Sequence, residues 1–225
     1  SWLREVVRVE GNTVFIDAPI TTALDPQYGG GTVAKCEWNG RVEEVGVENI
    51  NLESAVDSTN DKDEDHRWMA ITIEGARNSW IRSIVFKHFA GSAVYALQTA
   101  SKLTVEDCIS LAPVSEIGAE RRYTFYTKGQ QTLFQRLYSE GGYHDFSVGY
   151  LAAGPNAFVQ CQAIGAHSFS GAIDSWASGV LFDIVDIDGQ TLSYKNRGQD
   201  GQGAGWTAAN SVFWQCSAGL IENFR

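Results

Sequence analysis

One phrase recurs along this chain, and its recurrence restricts the fold more than any single motif does. The segments "ENINLES", "RSIVFKH", "EDCISLA", "QRLYSEG", "VQCQAIG", "FDIVDID" and "WQCSAGL" align on Ile50, Ile84, Cys108, Leu137, Cys161, Ile184 and Cys216. Successive anchors lie 34, 24, 29, 24, 23 and 32 residues apart. A minimal period of 23 or 24, lengthened by insertions, is what a solenoid produces when loops grow on one side of its rungs. Each rung is introduced by a second short strand: "AITIEG", "SAVYAL", "YTFYTK", "DFSVGY", "SGVLFD" and "SVFWQC" are rich in β-branched and aromatic residues and bounded by Gly, Ser, Asn or Asp.

No segment keeps the apolar spacing of a helix beyond about one turn, which excludes βαβ units. A β-sandwich calls for hairpin turns every 8 to 12 residues or so. Here the hairpin signal is confined to "VVRVEGNTVFID", alternating around Gly11-Asn12. The remaining solution is a coil of parallel strands in which each rung buries its inward face on the next.

With 44% hydrophobic and 20% charged residues in 225, the chain can bury a proper core. Its formal net charge of −10, with no run of Lys or Arg, removes the electrostatic term on which nucleic-acid binding depends, so no nucleic-acid partner is expected. No stretch of about 18 apolar residues is present to span a membrane as a helix, and no membrane partner is expected. The opening "SWLREVVRVEGNTVFID" reads as a strand already under way, not as an export signal, and the chain is expected to belong to a longer protein. Cys36, Cys108, Cys161 and Cys216 have neither C-x-x-C spacing nor histidines at ligand spacing. Three of them recur in "VEDCIS", "FVQCQA" and "FWQCSA", the setting of small buried hydrophobes.

In "SWIRSIVFKHF", "SKLTVEDCISL" and "GPNAFVQCQA" a turn residue leads into a short strand with a small or polar inward position. These rungs resemble those of right-handed parallel β-helix proteins of the pectate-lyase-like class, over roughly residues 45 to 219. The resemblance implies an all-β, right-handed parallel β-helix with an N-terminal β-hairpin and long inserted loops. Residues 1–44 form the hairpin and entry segment, and 45–225 the β-helix. It implies a carbohydrate-active protein whose partner is a polysaccharide, and the acidic pI near 4.8 with no basic tracts suits a secreted one. A further stretch of chain or a partner is expected to cover the end of the solenoid. The class holds lyases, hydrolases, transferases, tailspikes and adhesins, and the Asn-Thr-Asp and Gly-Asp-Asp motifs of its polygalacturonase-like hydrolases are missing here.

On such a fold, outward residues of successive rungs stand about 4.8 Å apart and match an extended polymer. Three clusters compete for the site. The first carries Arg121, Arg122, Tyr123, Tyr126, Lys128, Arg136, Tyr138, Tyr143, His144 and Asp145, a basic and aromatic patch suited to an acidic sugar. The second holds His167, Asp174 and Trp176, with His167 placed 23 residues after His144, one minimal rung. The third is a glycine-rich insertion carrying Lys195, Asn196, Arg197, Asp200, Trp206 and Asn210. His144-Asp145 also reads as a plain turn, and Asn49, Asn156 and Asn210 as structural bend residues. Asp61, Asp63 and Asp65 in "NDKDEDHRW" are weak calcium candidates, without the glycine and distal glutamate of an EF-hand loop.

The first functional expectation is β-elimination on a uronate-containing polymer. His144 or Lys128 serves as base, Tyr126 or Tyr143 as acid, and Arg122, Arg136 or Arg197 as carboxylate clamp. Asp174, Trp176, Asn196 and Trp206 are expected to contact substrate, and Asp145 and His167 complete the catalytic candidates. A β-helix glycoside hydrolase is the alternative, with a carboxyl pair drawn from Asp145, Asp174, Asp183 and Asp200. A non-catalytic carbohydrate-binding or structural module is the third. Insertions expected at 54–69, 113–123, 164–176 and 188–206 weigh toward an enzyme, because they build groove walls.

Overall fold

The computed structural model describes residues 1–223. The protein is nearly all-β, with long parallel sheets wound in solenoid fashion. Each rung contributes three strands, not the two expected. One rung runs Ser92–Ala96, Ser101–Glu106 and Ile109–Leu111; the next Phe125–Thr127, Thr132–Gln135 and Tyr138–Glu140; the next Phe146–Val148, Ala153–Val159 and Gln162–Ile164. The three positions stack into three faces, here called first, second and third. The extended strand Asp186–Tyr194 pairs at its start with the third face and at its end with Ser170–Ala172 of the first, which joins those two faces into a single sheet.

The corners explain how so short a strand can be used three times per turn. Between second and third faces the chain turns at Asn49, Ser83, Asp107, Arg136, Gln160, Ile184 and Gln215, all at positive φ. Equivalent left-handed columns stand between first and second faces (Asn78, Lys102, Gln131, Gly179, Asn210) and at the exit of the third (His88, Ala112, Gly141, Gly165, Gly189). Side chains other than Gly and Asn occupy this region only at some cost, so the ladder hydrogen bonds on both sides must hold them there. Asn49 and Asn210 are such corner residues, whereas Asn156 is an interior one, its carboxamide oxygen accepting from the Thr132 backbone N–H at 2.9 Å.

Register corrects the repeat at one position. Val85, Ile109, Tyr138, Gln162, Asp186 and Ser217 pair in sequence, so the residues preceding them form one inward column: Ile84, Cys108, Leu137, Cys161 and Val185, all buried, and the half-buried Cys216. Val185 is 1% exposed, while Ile184 is 47% exposed at the corner. The rung is therefore 24 residues there, and an isoleucine beside a valine concealed the offset. Cys108 and Cys161 pack as small apolar groups with Cys216 against them, whereas Cys36 is exposed; burial pushes the Cys161 thiol up to about 12.

Inside, one side chain per rung from the second face stacks on its neighbour. Ile81, Val105, Phe134, Phe158, Phe182 and Phe213 are in register, with Phe158 lying 4.8 Å from both Phe134 and Phe182, near-parallel to each. Of the expected insertions, 54–69 and 113–123 do interrupt rungs. Residues 164–176 instead contain the rung strand Ser170–Ala172, and much of 188–206 continues Asp186–Tyr194, leaving a loop that starts at Lys195.

The hairpin Val6–Glu10 and Thr13–Ile16 turns at Gly11-Asn12 as its alternation indicates. Its segment runs alongside the rungs at the corner between first and second faces. Glu5 pairs with Arg77 and Lys102, Asp17 with Lys102, and Leu3 N–H donates to Gln130 Oε1 at 2.8 Å. Arg4 donates to the Gly154 carbonyl, Thr21 Oγ1 lies 2.8 Å from Ser178 Oγ, and Asn210 donates to the Thr21 carbonyl at 3.0 Å. Gly179 permits this approach: a Cβ there would fall 2.4 Å from Thr21 Cγ2.

Two substitutions test register and core together. Phe158→Ala is expected to cost about 3–5 kcal/mol, as loss of a fully buried ring does. Ile184→Asn should stay within about 0.5 kcal/mol of the native protein, since it places a residue tolerant of left-handed backbone at an exposed corner. Urea unfolding midpoints measure both.

Candidate functional site

The outward side of the first face carries Tyr95, Tyr126, Ser147 and Gly171 in register on consecutive rungs. Equivalent tyrosines on adjacent rungs must meet, and the Tyr95 and Tyr126 rings stack with centroids 4.9 Å apart and planes 20° from parallel. They form the floor of a groove of about 940 Å³.

One wall is built by the two insertions that precede first-face strands. Trp68, Ala119, Glu120 and Arg121 line it. Arg121 makes a two-point contact with the Glu64 carboxylate, Nη2 at 2.9 Å, and its guanidinium lies over Trp68. His66 joins the insertions from beneath. Its Nε2 donates toward the carbonyls of Asp63 (3.1 Å) and Val114 (3.0 Å), and its Nδ1 accepts from the Ser54 hydroxyl at 2.8 Å. Two carbonyls at Nε2 require the proton there, which leaves Nδ1 as the acceptor.

Tyr150, Phe169, Asp174, Arg197 and the Gly201-Gln202 turn form the other side. Arg197 donates to the Ile173 carbonyl, and both it and Lys195 stand over the Phe169 ring, at 5.4 and 4.8 Å. Asp174 accepts from the Tyr126 hydroxyl at 2.8 Å and from the Tyr150 N–H at 3.2 Å. Burial and the adjacent Asp174 carboxylate hold the Tyr126 phenol well above its ordinary range, so its proton stays on.

His144 sits at the groove wall, only 3% exposed, with Tyr143, Tyr123 and Phe169 meeting its ring edge-on. Its Nδ1–H donates to the Phe169 carbonyl at 2.5 Å, so Nε2 carries the lone pair. Burial pushes its pKa down to about 4, against the opposing Phe169 hydrogen bond, with Arg197 and Lys195 lowering it further. The ring is therefore neutral at neutral pH. Tyr123 is pushed up to about 12, chiefly by burial.

Asp145 follows His144 in the chain and faces the other way, as successive residues of an extended segment do. It is fully buried, its Oδ1 accepting from Ser139 Oγ at 2.5 Å, while Oδ2 has no hydrogen-bond partner among the described residues. A Cβ at Gly142 would lie 2.1 Å from Oδ1, so the "EGGYHDF" glycines have separate duties: Gly142 makes room for the carboxyl, and Gly141 turns the corner at positive φ. Burial raises Asp145 to about 6, the Ser139 hydrogen bond opposing.

The groove thus gathers Arg121, Tyr123, Tyr126, Lys128, Tyr143, His144, Asp174 and Arg197 of the residues singled out from sequence. Others lie elsewhere. Arg122 is buried and donates to Ser115 and to the Gly141 carbonyl. Arg136 is a corner residue paired with Asp107 and Glu106. His167 is exposed; with Ser147 paired to Gly171, the 24-residue register sets Ser168 at the level of His144. Asn196 and Trp206 belong to the neighbouring loop, where Asn196 bridges to Trp206; Trp176 is the turn residue before the strand Ala177–Asp183, its N–H donating to the Trp206 carbonyl at 2.9 Å, and none of the three lines the groove. Asp63 accepts from the Asp57 and Asp65 backbone N–H groups, and among the described residues no three His, Cys, Asp or Glu side chains converge as a metal site. Sequence reading missed Trp68, Tyr95, Glu120, Tyr150 and Phe169. Tyr95 had a readable signal: "AVYAL" and "TFYTK" set it level with Tyr126.

No protein-family model, curated protein or solved structure matches the chain.

The buried neighbours give opposite pH dependences. His144 is depressed from 6.5 to about 4, so the unfolded chain binds the extra proton and stability falls as pH drops through that interval. Asp145 is raised from 3.8 to about 6, so its contribution is complete below 3.8 and is lost as pH rises through 6. Asp145→Asn removes the second effect alone. That variant should gain stability relative to the native protein above pH 6, and its urea midpoint should climb more steeply with pH between 4 and 6.5.

Proposed function

We propose that this protein binds an extended, uronate-containing polysaccharide along its first face and cleaves it by β-elimination. It would then be an extracellular enzyme with the right-handed β-helix architecture of the pectate-lyase-like class. The observation that carries the reading is the convergence in a single groove of a stacked tyrosine pair, the cations Lys128 and Arg197, and a histidine held neutral. A partly exposed aromatic ring such as Tyr95 matches the apolar surface of a sugar ring, and cations match carboxylates.

In elimination a cation neutralises the uronate carboxylate and acidifies the C5 proton. His144 Nε2 takes that proton, the C5 electrons form the C4–C5 double bond, and the C4–O bond breaks. The departing oxygen takes a proton from Tyr143 or Tyr123, which adjoin the histidine. Tyr126 is the weaker donor because its proton is held on Asp174. Hydrolysis by paired carboxyls has less to draw on: of Asp145, Asp174, Asp183 and Asp200 only Asp174 lines the groove, with Glu120 as the other carboxyl there.

The test is ultraviolet absorbance of the unsaturated product, run with a reducing-end assay on uronate-containing and neutral polysaccharides. Rising absorbance with uronates is expected. New reducing ends without absorbance would replace elimination by hydrolysis on Asp174 and Glu120, and neither signal would leave a binding module. His144→Ala should lower kcat by roughly 100- to 10,000-fold, as loss of a general base does. The acidic limb of kcat/KM should fall near pH 4, where His144 gains its proton, and a limb at the ordinary histidine value of 6.5 would remove His144 from this role.

A further inference from the structure

The cations around the groove differ in one respect that bears on what it recognises. Arg121 is bound to Glu64, Lys195 to Glu222 at 2.9 Å, and Arg197 donates to the Ile173 carbonyl. Lys128 has no carboxylate within 4 Å and no hydrogen-bond acceptor among the described residues. Its ammonium stands 5.7 Å from the Tyr95 ring centroid and 5.4 Å from that of Tyr126, beside the stacked pair that floors the groove. Gly149 fixes this arrangement from below: a Cβ there would fall 2.1 Å from the Tyr126 hydroxyl oxygen and 2.8 Å from Lys128 Cγ.

We propose that Tyr95, Tyr126 and Lys128 form a two-part subsite in which the half-buried Tyr95 ring, backed by the buried Tyr126, contacts one sugar and Lys128 binds the carboxylate of that same residue, so that Lys128 selects charged over neutral sugars. The inference deepens the polysaccharide reading above and rests on it for the class of ligand, but not for the elimination step. A cation already neutralised by a protein carboxylate gains little from a second anion, whereas an uncommitted ammonium above aromatic rings forms its first charge-assisted contact with the ligand. Arg121, tied to Glu64, then shapes the wall, Arg197 keeps its charge on the opposite side of the groove, and discrimination beside the ring pair falls to Lys128.

Binding is measured by calorimetry with hexamers of galacturonate, mannuronate and guluronate, and with the carboxyl-reduced neutral counterpart of whichever binds. Lys128→Met, which keeps the length and apolar stem, should weaken the uronate hexamer roughly 10- to 100-fold, the loss of one hydrogen bond to a charged group. It should change the neutral hexamer less than about threefold, and it should flatten the salt dependence of uronate binding. Tyr95→Ala should weaken both ligands. Arg136→Gln, at a distant corner, provides the comparison for lost positive charge and should alter neither.

Equal weakening of both hexamers by Lys128→Met, no weakening of either, or no uronate hexamer bound by the native protein would each overturn the subsite. Uronate binding that depends on Lys128 without any unsaturated product would remove the elimination reading and leave the subsite standing. Elimination that proceeds with unchanged discrimination in Lys128→Met would do the reverse.

Discussion

A coil of short parallel strands closes only if the backbone turns sharply at the same places on every rung, and here that constraint falls on single residues in left-handed conformation. Arg136, Gln160, Ile184 and Gln215 hold it in one column alone. The strain of each corner is borne by the ladder bonds above and below, so corners and ladders stabilise each other. Once corners repeat at a fixed spacing, side chains at equal positions stack. That single consequence generates both the phenylalanine column within and the Tyr95–Tyr126 pair without.

The groove uses the same alternation to separate chemistries that the chain places side by side. His144 looks toward the groove and Asp145 into the core, so one burial mechanism pushes two adjacent titratable groups toward neutrality from opposite directions. An acidic protein thereby presents a groove whose charged groups are cations and two carboxyls, the exposed Glu120 and the half-buried Asp174, with the Asp145 carboxyl withdrawn. Gly142, Gly149 and Gly179 show the other side of close stacking, since each marks a point where a side chain from elsewhere occupies the space of a Cβ.

Much of this was legible in the residues. The repeat gave the parallel coil, because anchors such as Cys108 and Cys161 keep one place on each rung. The count of strands was less legible: "SAVYAL" belongs to the first face and "SGVLFD" to the second, and both look alike as short apolar runs bounded by turn residues. Ile184 displaced Val185 because either residue suits a buried anchor by type, and only pairing tells them apart. The basic cluster was visible as composition. Its division was not, since Arg122, Arg136 and Lys128 are equivalent as letters, and partners up to 30 residues away in sequence decide which of them faces the groove.

The entry segment has a mechanical meaning of its own. From Glu5 on Arg77 to Thr21 on Asn210, a short stretch of chain is fastened across six successive rungs along a single edge. Rungs otherwise touch only their neighbours, which makes a solenoid easy to peel open one turn at a time. A splint laid lengthwise couples the first of these turns to the last, so that fraying at either end must also lift the brace. It ties what would be a chain of nearest-neighbour units into one cooperative body and resists shear between rungs along the edge that borders the groove-bearing face.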